Sequence, residues 1–259
     1  MPKTIAITGK GGTGKTVLSA LTVLTLVEHN LRPLLAVDAD PNLNLDGALG
    51  LHADDTIGRV REEARQQAGG GGDHMPTPQF LDYRTRQSLV EARGFDLIAM
   101  GRPEGPGCYC YANEMLRNVL DRLAKSYQIV VIDCEAGLEH MSRRTTGDVD
   151  LLLLLSDPSV RGIQTARRAL DLMREVRTQP GEARLVINKV PGELSPSLAQ
   201  AALDLDLQIN AVLPLDEQVA ALDAAGRPLT ELSPDSPLRQ AVTRLLADCG
   251  LFEAAQPIG

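Results

Sequence analysis

Residues 7–16 read ITGKGGTGKT. Gly9, Gly14, Lys15 and Thr16 fall in the spacing G-x-x-x-x-G-K-T, with an apolar run before them and a helical pattern after them. A strand, a glycine-rich loop and a helix in that order make a cradle for phosphate. Glycines let backbone N–H groups close around phosphate oxygens without interference from a Cβ. The helix beginning near Lys15 adds the positive end of its dipole. In such a loop the lysine at position 15 reaches the β- and γ-phosphates, and the hydroxyl of Thr16 is available to Mg²⁺. Gly9, Lys10, Gly11, Gly12, Thr13, Gly14, Lys15 and Thr16 are therefore the expected nucleotide-binding set, with ATP or ADP as ligand.

Working outward, short and nearly continuous apolar runs recur. They cover residues 4–8, 34–38, 95–100, 129–133, 150–156, 183–188 and 208–213. Segments of helical pattern separate most of them, at 15–30, 114–126, 163–177, 216–225 and 236–247. In the third of these, Ile163, Ala166, Leu170, Met173 and Val176 recur at helical spacing between charged residues. Strands without polar alternation are buried on both faces, as in a parallel sheet covered by helices. The expected fold is α/β, a doubly wound and mainly parallel sheet of seven or eight strands flanked by helices. The run AGGGGDHMPTP at 68–78 breaks the rhythm. Four glycines followed by two prolines cannot continue a helix, so the reading is a flexible excursion from one phosphate-loop domain spanning 1–259.

Composition narrows the function classes. A hydrophobic content of 43% suits a well-filled core, which must be aliphatic because the chain has three Phe, four Tyr and no Trp. A formal net charge of −8 argues against a general binder of nucleic acid or of anionic membrane. The longest apolar run, Leu151–Leu155, is far too short to span a bilayer, and the N-terminus lacks the pattern of a secretory signal. A cytoplasmic location is the expectation, with no stable membrane anchor.

Three further segments join the loop. The second strand ends in VDADPN, with Asp38 and Asp40. IVVIDCEAGLEH ends an apolar strand in Asp133, the pattern of a carboxylate that holds a Mg²⁺-bound water. LVINKV places Asn188 and Lys189 at another strand end, and AVLPLDE follows with Pro214. Together with Lys10 inside KGGTGKT, this order resembles the deviant Walker A ATPases of the MinD/ParA and nitrogenase iron protein class. The resemblance covers residues 5 to 217. It implies that Lys10 reaches the phosphates of a facing subunit in an ATP-sandwich homodimer. It further implies that Asp40 lies in switch I near the attacking water, that Asp133–Gly137 forms switch II, and that Asn188, Lys189 and Pro214 line the adenine. Lys10, Lys15, Asp40 and Asp133 are the expected catalytic residues.

Two of the four cysteines stand one residue apart in GPGCYCYANE, residues 105–114. Alone, Cys108 and Cys110 could form a disulfide, a metal half-site or a redox dithiol. The CYC form and the segment DCEAGLEHMSRRTT resemble the CooC family of nickel-insertion ATPases, which mature carbon monoxide dehydrogenase. One CxC supplies two thiolates, too few for a tetrahedral site. Within the dimer that the resemblance implies, Cys108 and Cys110 of each subunit would complete an S₄ site for Ni²⁺ or Zn²⁺. The client would be a metalloenzyme, carbon monoxide dehydrogenase. An iron–sulfur cluster carrier or electron-transfer ATPase is the main rival, and a spatial-organising ATPase the second. Cys134 and Cys249 read as packing residues, and His74 and His140 stay outside the metal set.

Overall fold

The computed structural model describes residues 2–69, 75–101, 121–134, 149–175 and 180–253. Its centre is a strand, β1 (Lys3–Gly9), built from KTIAITG and followed directly by the glycine-rich loop and helix α1 (Lys15–Glu28). The chain continues through β2 (Leu34–Ala39), a short α2 (Leu45–Ala48), and the pair α3 (Ile57–Gly69) and α4 (Thr77–Gln87). Then come β3 (Val90–Ala92), β4 (Phe95–Ala99), β5 (Ile129–Cys134), β6 (Leu151–Ser156), α5 (Val160–Glu175) and β7 (Glu182–Val190). The last elements are α6 (Pro196–Leu203), β8 (Ile209–Pro214), α7 (Glu217–Ala224), a 3₁₀ turn (Leu229–Glu231) and α8 (Pro237–Asp248).

The strands form one eight-stranded sheet in the order β3-β4-β2-β5-β1-β6-β7-β8. All neighbours pair in parallel except β3 with β4. All six residues of β5 and all six of β6 are buried, as their unbroken apolar sequences require. Side chains alternate between two helical layers. Ile5, Ile7, Leu34, Ala36, Leu151, Leu153 and Leu155 join the core under α1 and α8. Their neighbours Ala6, Leu35, Val37, Ile98 and Leu152 face the opposite layer, with Met173 of α5. Each buried leucine or isoleucine contributes about 1.5–3 kcal/mol by leaving water. The core is thus built from single alternating residues rather than aromatic anchors.

All seven expected strands are present, and an eighth, β3, is added at one edge. Val90–Ala92 is too short, and too little buried, to stand out as an apolar run. Helix α4, for which the sequence suggests no helix, starts at the edge of the expected excursion, overlapping it only at Thr77 and Pro78. It begins at Thr77, with Pro78 in its first turn, and buries only Phe80, Leu81 and Thr85. Phe80 and Leu81 meet Val60 and Ala64 of α3 in a small separate core. Arg84 of α4 completes the pairing, donating to Glu63 at 2.8 Å and to Asp55 at 2.7 Å. Of the stretch 68–78, residues 68 and 69 end α3, 77 and 78 begin α4, and 70–74 lie outside the described residues. Among the described residues, no helix is long and apolar enough to cross a membrane.

Candidate nucleotide site

Parallel strands all end on the same edge of the sheet, and ligands of such sheets bind there. Here that edge gathers the ends of β1, β2, β5, β6, β7 and β8. Gly9 closes β1 with no room for a side chain, since a Cβ there would lie 2.3 Å from the carbonyl oxygen of Leu155. Gly14 precedes α1 in the left-handed region at φ 92°. A Cβ on Gly14 would meet the Asn188 amide nitrogen at 2.5 Å. The two glycines that define the motif are thus required by contact with β6 and β7, as well as by phosphate.

Between them the loop is held from behind. The Thr13 hydroxyl donates to the Lys10 carbonyl at 2.8 Å, and the Lys15 ammonium approaches the same oxygen at 3.5 Å. Thr13 and Lys15 are buried, Thr16 is half-buried, and Gly11 and Gly12 are exposed. Helix α1 has no side-chain cap and no acid in its first turn. By contrast, α6, α7 and α8 are capped by Ser195, Asp216 and Ser236. The leading N–H groups of α1 therefore remain available to an anion. Lys10 is half-exposed at the rim, with its ammonium 3.8 Å from Asp157 after β6. Asp157 was not among the sequence-derived site residues. Nothing near it in sequence marks it, because the contact spans the sheet edge.

The two strand-end aspartates differ in their roles. Asp38 and Asp133 face each other across the β2–β5 register and are almost fully buried. Asp38 accepts the backbone N–H groups of Asp40 and Leu45, both at 3.0 Å. It thereby shapes the turn that presents Asp40, whose own carboxylate accepts the Asn42 backbone and side-chain amides at 2.9 and 3.0 Å. Burial pushes the Asp38 carboxyl up to about 6, against those backbone hydrogen bonds. Asp38 is the positioning residue that sequence reasoning passed over, although the DAD spacing carried the signal.

Asp133 accepts the Ser19 hydroxyl of α1 on Oδ1 at 3.0 Å, while among the described residues its buried Oδ2 has no partner at hydrogen-bond distance. Burial pushes this carboxyl up to about 7, with the Thr16 and Ser19 hydroxyls and the Lys15 charge pulling the other way. A buried, unsatisfied carboxylate oxygen beside Thr16 and Lys15 fits a divalent cation, which would relieve the cost of ionisation. The next residue, Cys134, is buried, and its thiol is pushed up to about 12 by that burial. It remains protonated and serves as packing.

On the other side of the loop, β7 supplies Asn188 and Lys189. Asn188 donates its amide to the Thr13 carbonyl at 2.8 Å, and its buried Oδ1 accepts nothing among the described residues. Lys189 donates to the Gly12 carbonyl at 2.8 Å. Pro214 ends β8 beside Val190, and Leu215 donates to the Val190 carbonyl at 3.0 Å. Behind it, the buried Asp216 accepts the Ser236 hydroxyl at 2.7 Å and the N–H groups of Gln218 and Leu238, tying α7 to α8. Burial opposes ionisation of Asp216, but these hydrogen bonds prevail and hold its carboxyl below the usual range.

Cys108, Cys110, His74 and His140 lie outside the described residues, as does switch II beyond Cys134. Among the described residues, no group of three or more His, Cys, Asp or Glu side chains is arranged to hold a metal ion.

A phosphate loop on a strand–helix junction, an uncapped helix start, a buried strand-end carboxylate and a second lysine at the rim define a P-loop ATPase. Residues 4–229 match the CobQ/CobB/MinD/ParA nucleotide-binding domain, and the chain belongs to that family. Among similar proteins, an uncharacterized ATP-binding protein of Methanocaldococcus jannaschii is 40% identical over 93% of this chain and 96% of its own. The carbon monoxide dehydrogenase accessory protein CooC of Rhodospirillum rubrum is 31% identical over 89% of this chain and 90% of its own. The fold matches the MinD cell division protein of Aquifex aeolicus with a TM-score of 0.70, 22% identity and 99% coverage of both chains.

Proposed function

We propose that this ATPase is a nickel metallochaperone that assists metal insertion into a carbon monoxide dehydrogenase. The observation that carries the reading is the Cys108-Tyr109-Cys110 stretch, in a chain that is 31% identical to CooC over about nine-tenths of both proteins. Nickel is cargo in this scheme. It is held between subunits by Cys108 and Cys110 from each copy, because two thiolates alone leave a tetrahedral ion half-coordinated. Zn²⁺ would compete for the same sulfurs.

In the ATPase cycle, the loop 9–16 binds the phosphates and Lys15 offsets their charge. Lys10, at the exposed rim, would exchange its contact with Asp157 for the nucleotide of a second copy. Thr16 and Asp133 would hold Mg²⁺, which neutralises charge on the phosphate oxygens when bound. Asp40, on the turn organised by Asp38, orients the water for attack on the γ-phosphate. The unsatisfied Asn188 Oδ1 accepts the amino group of adenine beside Pro214, and the Lys189 stem borders the same pocket. Dimer closure on ATP changes the distance between the two CxC pairs, so nucleotide and metal affinity are linked in both directions.

Equilibrium dialysis of the reduced homodimer with Ni²⁺, with and without ADP, tests the scheme. One Ni²⁺ per two chains is expected, lost in the Cys108→Ala/Cys110→Ala variant. Unchanged stoichiometry and affinity in that variant would remove the metal site. A broad absorbance between about 300 and 500 nm after anaerobic iron and sulfide loading, with no nickel bound, would instead favour an iron–sulfur carrier. ATP-dependent sedimentation with liposomes or DNA, insensitive to both cysteines, would favour the spatial-organising alternative.

A further inference from the structure

Asn188 and Lys189 are adjacent in a strand, yet both side chains reach the phosphate loop. Successive residues of a regular strand point to opposite faces. Here the rule is broken by backbone geometry. The β7–β8 pairing shifts register between Ile187 and Val190, and Lys189 occupies the left-handed region at φ 61°. A lysine pays for that conformation with strain, and such strain persists only where the surroundings enforce it. Bulges beside a site commonly re-aim a side chain. In this protein the bulge sends the Lys189 ammonium to the Gly12 carbonyl and leaves Asn188 on the Thr13 carbonyl.

The carbonyls of the loop then have protein donors at three of its positions. Lys10 O faces Thr13 and Lys15, Gly12 O faces Lys189, and Thr13 O faces Asn188. Carbonyl oxygens repel phosphate, and anchoring them outward leaves N–H groups as the polar face offered to an anion. We propose that Asn188 and Lys189 are positioning residues for phosphate recognition. They hold the loop in its anion-binding form, so they govern affinity for the phosphate moiety whether or not a base is present. Asn188 additionally couples the two ends of the nucleotide site. Its Nδ2 holds Thr13 while its Oδ1 meets no donor among the described residues. The inference rests on the ATPase reading and is independent of the nickel reading.

The test compares ADP with pyrophosphate, a probe without base or sugar, each displacing a fluorescent ADP analogue from the full-length protein in Mg²⁺. Lys189→Met keeps the aliphatic stem but removes the donor, and Lys189→Arg restores a donor. Wild-type protein is expected to bind both ligands. Lys189→Met should weaken pyrophosphate and ADP by a similar factor, about 10-fold, the size of one lost charged hydrogen bond. Lys189→Arg should recover most of the loss. Asn188→Ala should weaken pyrophosphate as well, and ADP by a larger factor. Thermal melts identify any variant that fails to fold. In that event Asn188→Ser and Lys189→Gln, smaller changes at the same contacts, carry the comparison. Pyrophosphate affinity unchanged in folded variants, with ADP affinity reduced, would make the pair base readers only and overturn the proposal. Failure of wild-type protein to bind pyrophosphate while it binds ADP would overturn the claim of a preset loop. Failure to bind either would instead remove the ATPase reading itself.

Discussion

Replacing Asp133 with asparagine should make the nucleotide-free protein more stable and the ATPase inactive. Asp133 is 1% exposed, its Oδ2 has no partner among the described residues, and burial carries its pKa from 3.8 to about 7. The sign follows from proton counting. Between pH 3.8 and about 7 the folded state holds a proton that the unfolded state has released, so stability from this group falls as pH rises through that window. Above pH 7 the full cost of the buried charge is present, about 4 kcal/mol at 1.36 kcal/mol per pKa unit. Asparagine keeps the acceptor for Ser19 and removes the charge, but its amide would occupy the place of the unsatisfied oxygen. A buried unpaired amide costs about 1–3 kcal/mol, which leaves a net gain of about 2 kcal/mol at pH 8. For a chain of this size that is a rise in Tm of about 4–8 °C. Differential scanning calorimetry of both proteins between pH 5 and 8 measures it, with the difference shrinking toward pH 5. In wild-type protein MgADP at 100 times its Kd should add about 2.7 kcal/mol. The same concentration should add much less in the variant, because in the proposed cycle Asp133 helps to hold the cation. A variant that melts below wild type at pH 8 would refute the argument that the buried charge of Asp133 is only partly compensated.

Three other changes probe separate parts of the architecture. Gly14→Ala puts a Cβ 2.5 Å from the Asn188 amide at a left-handed position, and should cost about 2–4 kcal/mol in urea unfolding and abolish ADP binding. Asp216→Ala removes acceptors for Ser236, Leu238 and Gln218, and should lower stability by about 2–3 kcal/mol by the same measurement. Because the Asp216 carboxyl is held below its usual range, its contribution is present above about pH 4 and is lost under stronger acid. Tyr127→Phe deletes the 2.5 Å hydrogen bond to Asp96 at the far end of the sheet. It should destabilise by about 1–2 kcal/mol in calorimetry while leaving nucleotide affinity intact.

The seven main strands were legible because residues buried on both faces leave no polar alternation to confuse the pattern. The elements that escaped notice are those whose burial is partial. Helix α4, TPQFLDYRTRQ, is mostly polar and gains its place from Phe80, Leu81 and the Arg84 ion pairs. Helix α6 hides behind the proline-containing start SPSLAQ, although Ser195 caps it through the N–H of Leu198. At the site, the motif located the loop, and the strand ends located Asp133 and Asn188. What the motif could not disclose was who holds whom. Asp38 was visible but looked like a strand terminus, whereas it shapes the turn carrying Asp40. Asp157 and the grip of Lys189 on Gly12 depend on the sheet order and on a bulge, neither of which leaves a local mark.

The hydrogen bond between Asn188 and Thr13 joins residues 175 positions apart. That distance has a meaning in time as well as space. At about 5–20 residues per second, a ribosome needs about 9–35 s to add the segment between them. The phosphate loop therefore leaves the ribosome long before the strand that grips it exists. A nascent chain ending before β7 carries the full motif without its clamp. Competence to hold a nucleotide would then arrive only once β7 has been made and that side of the sheet is laid down.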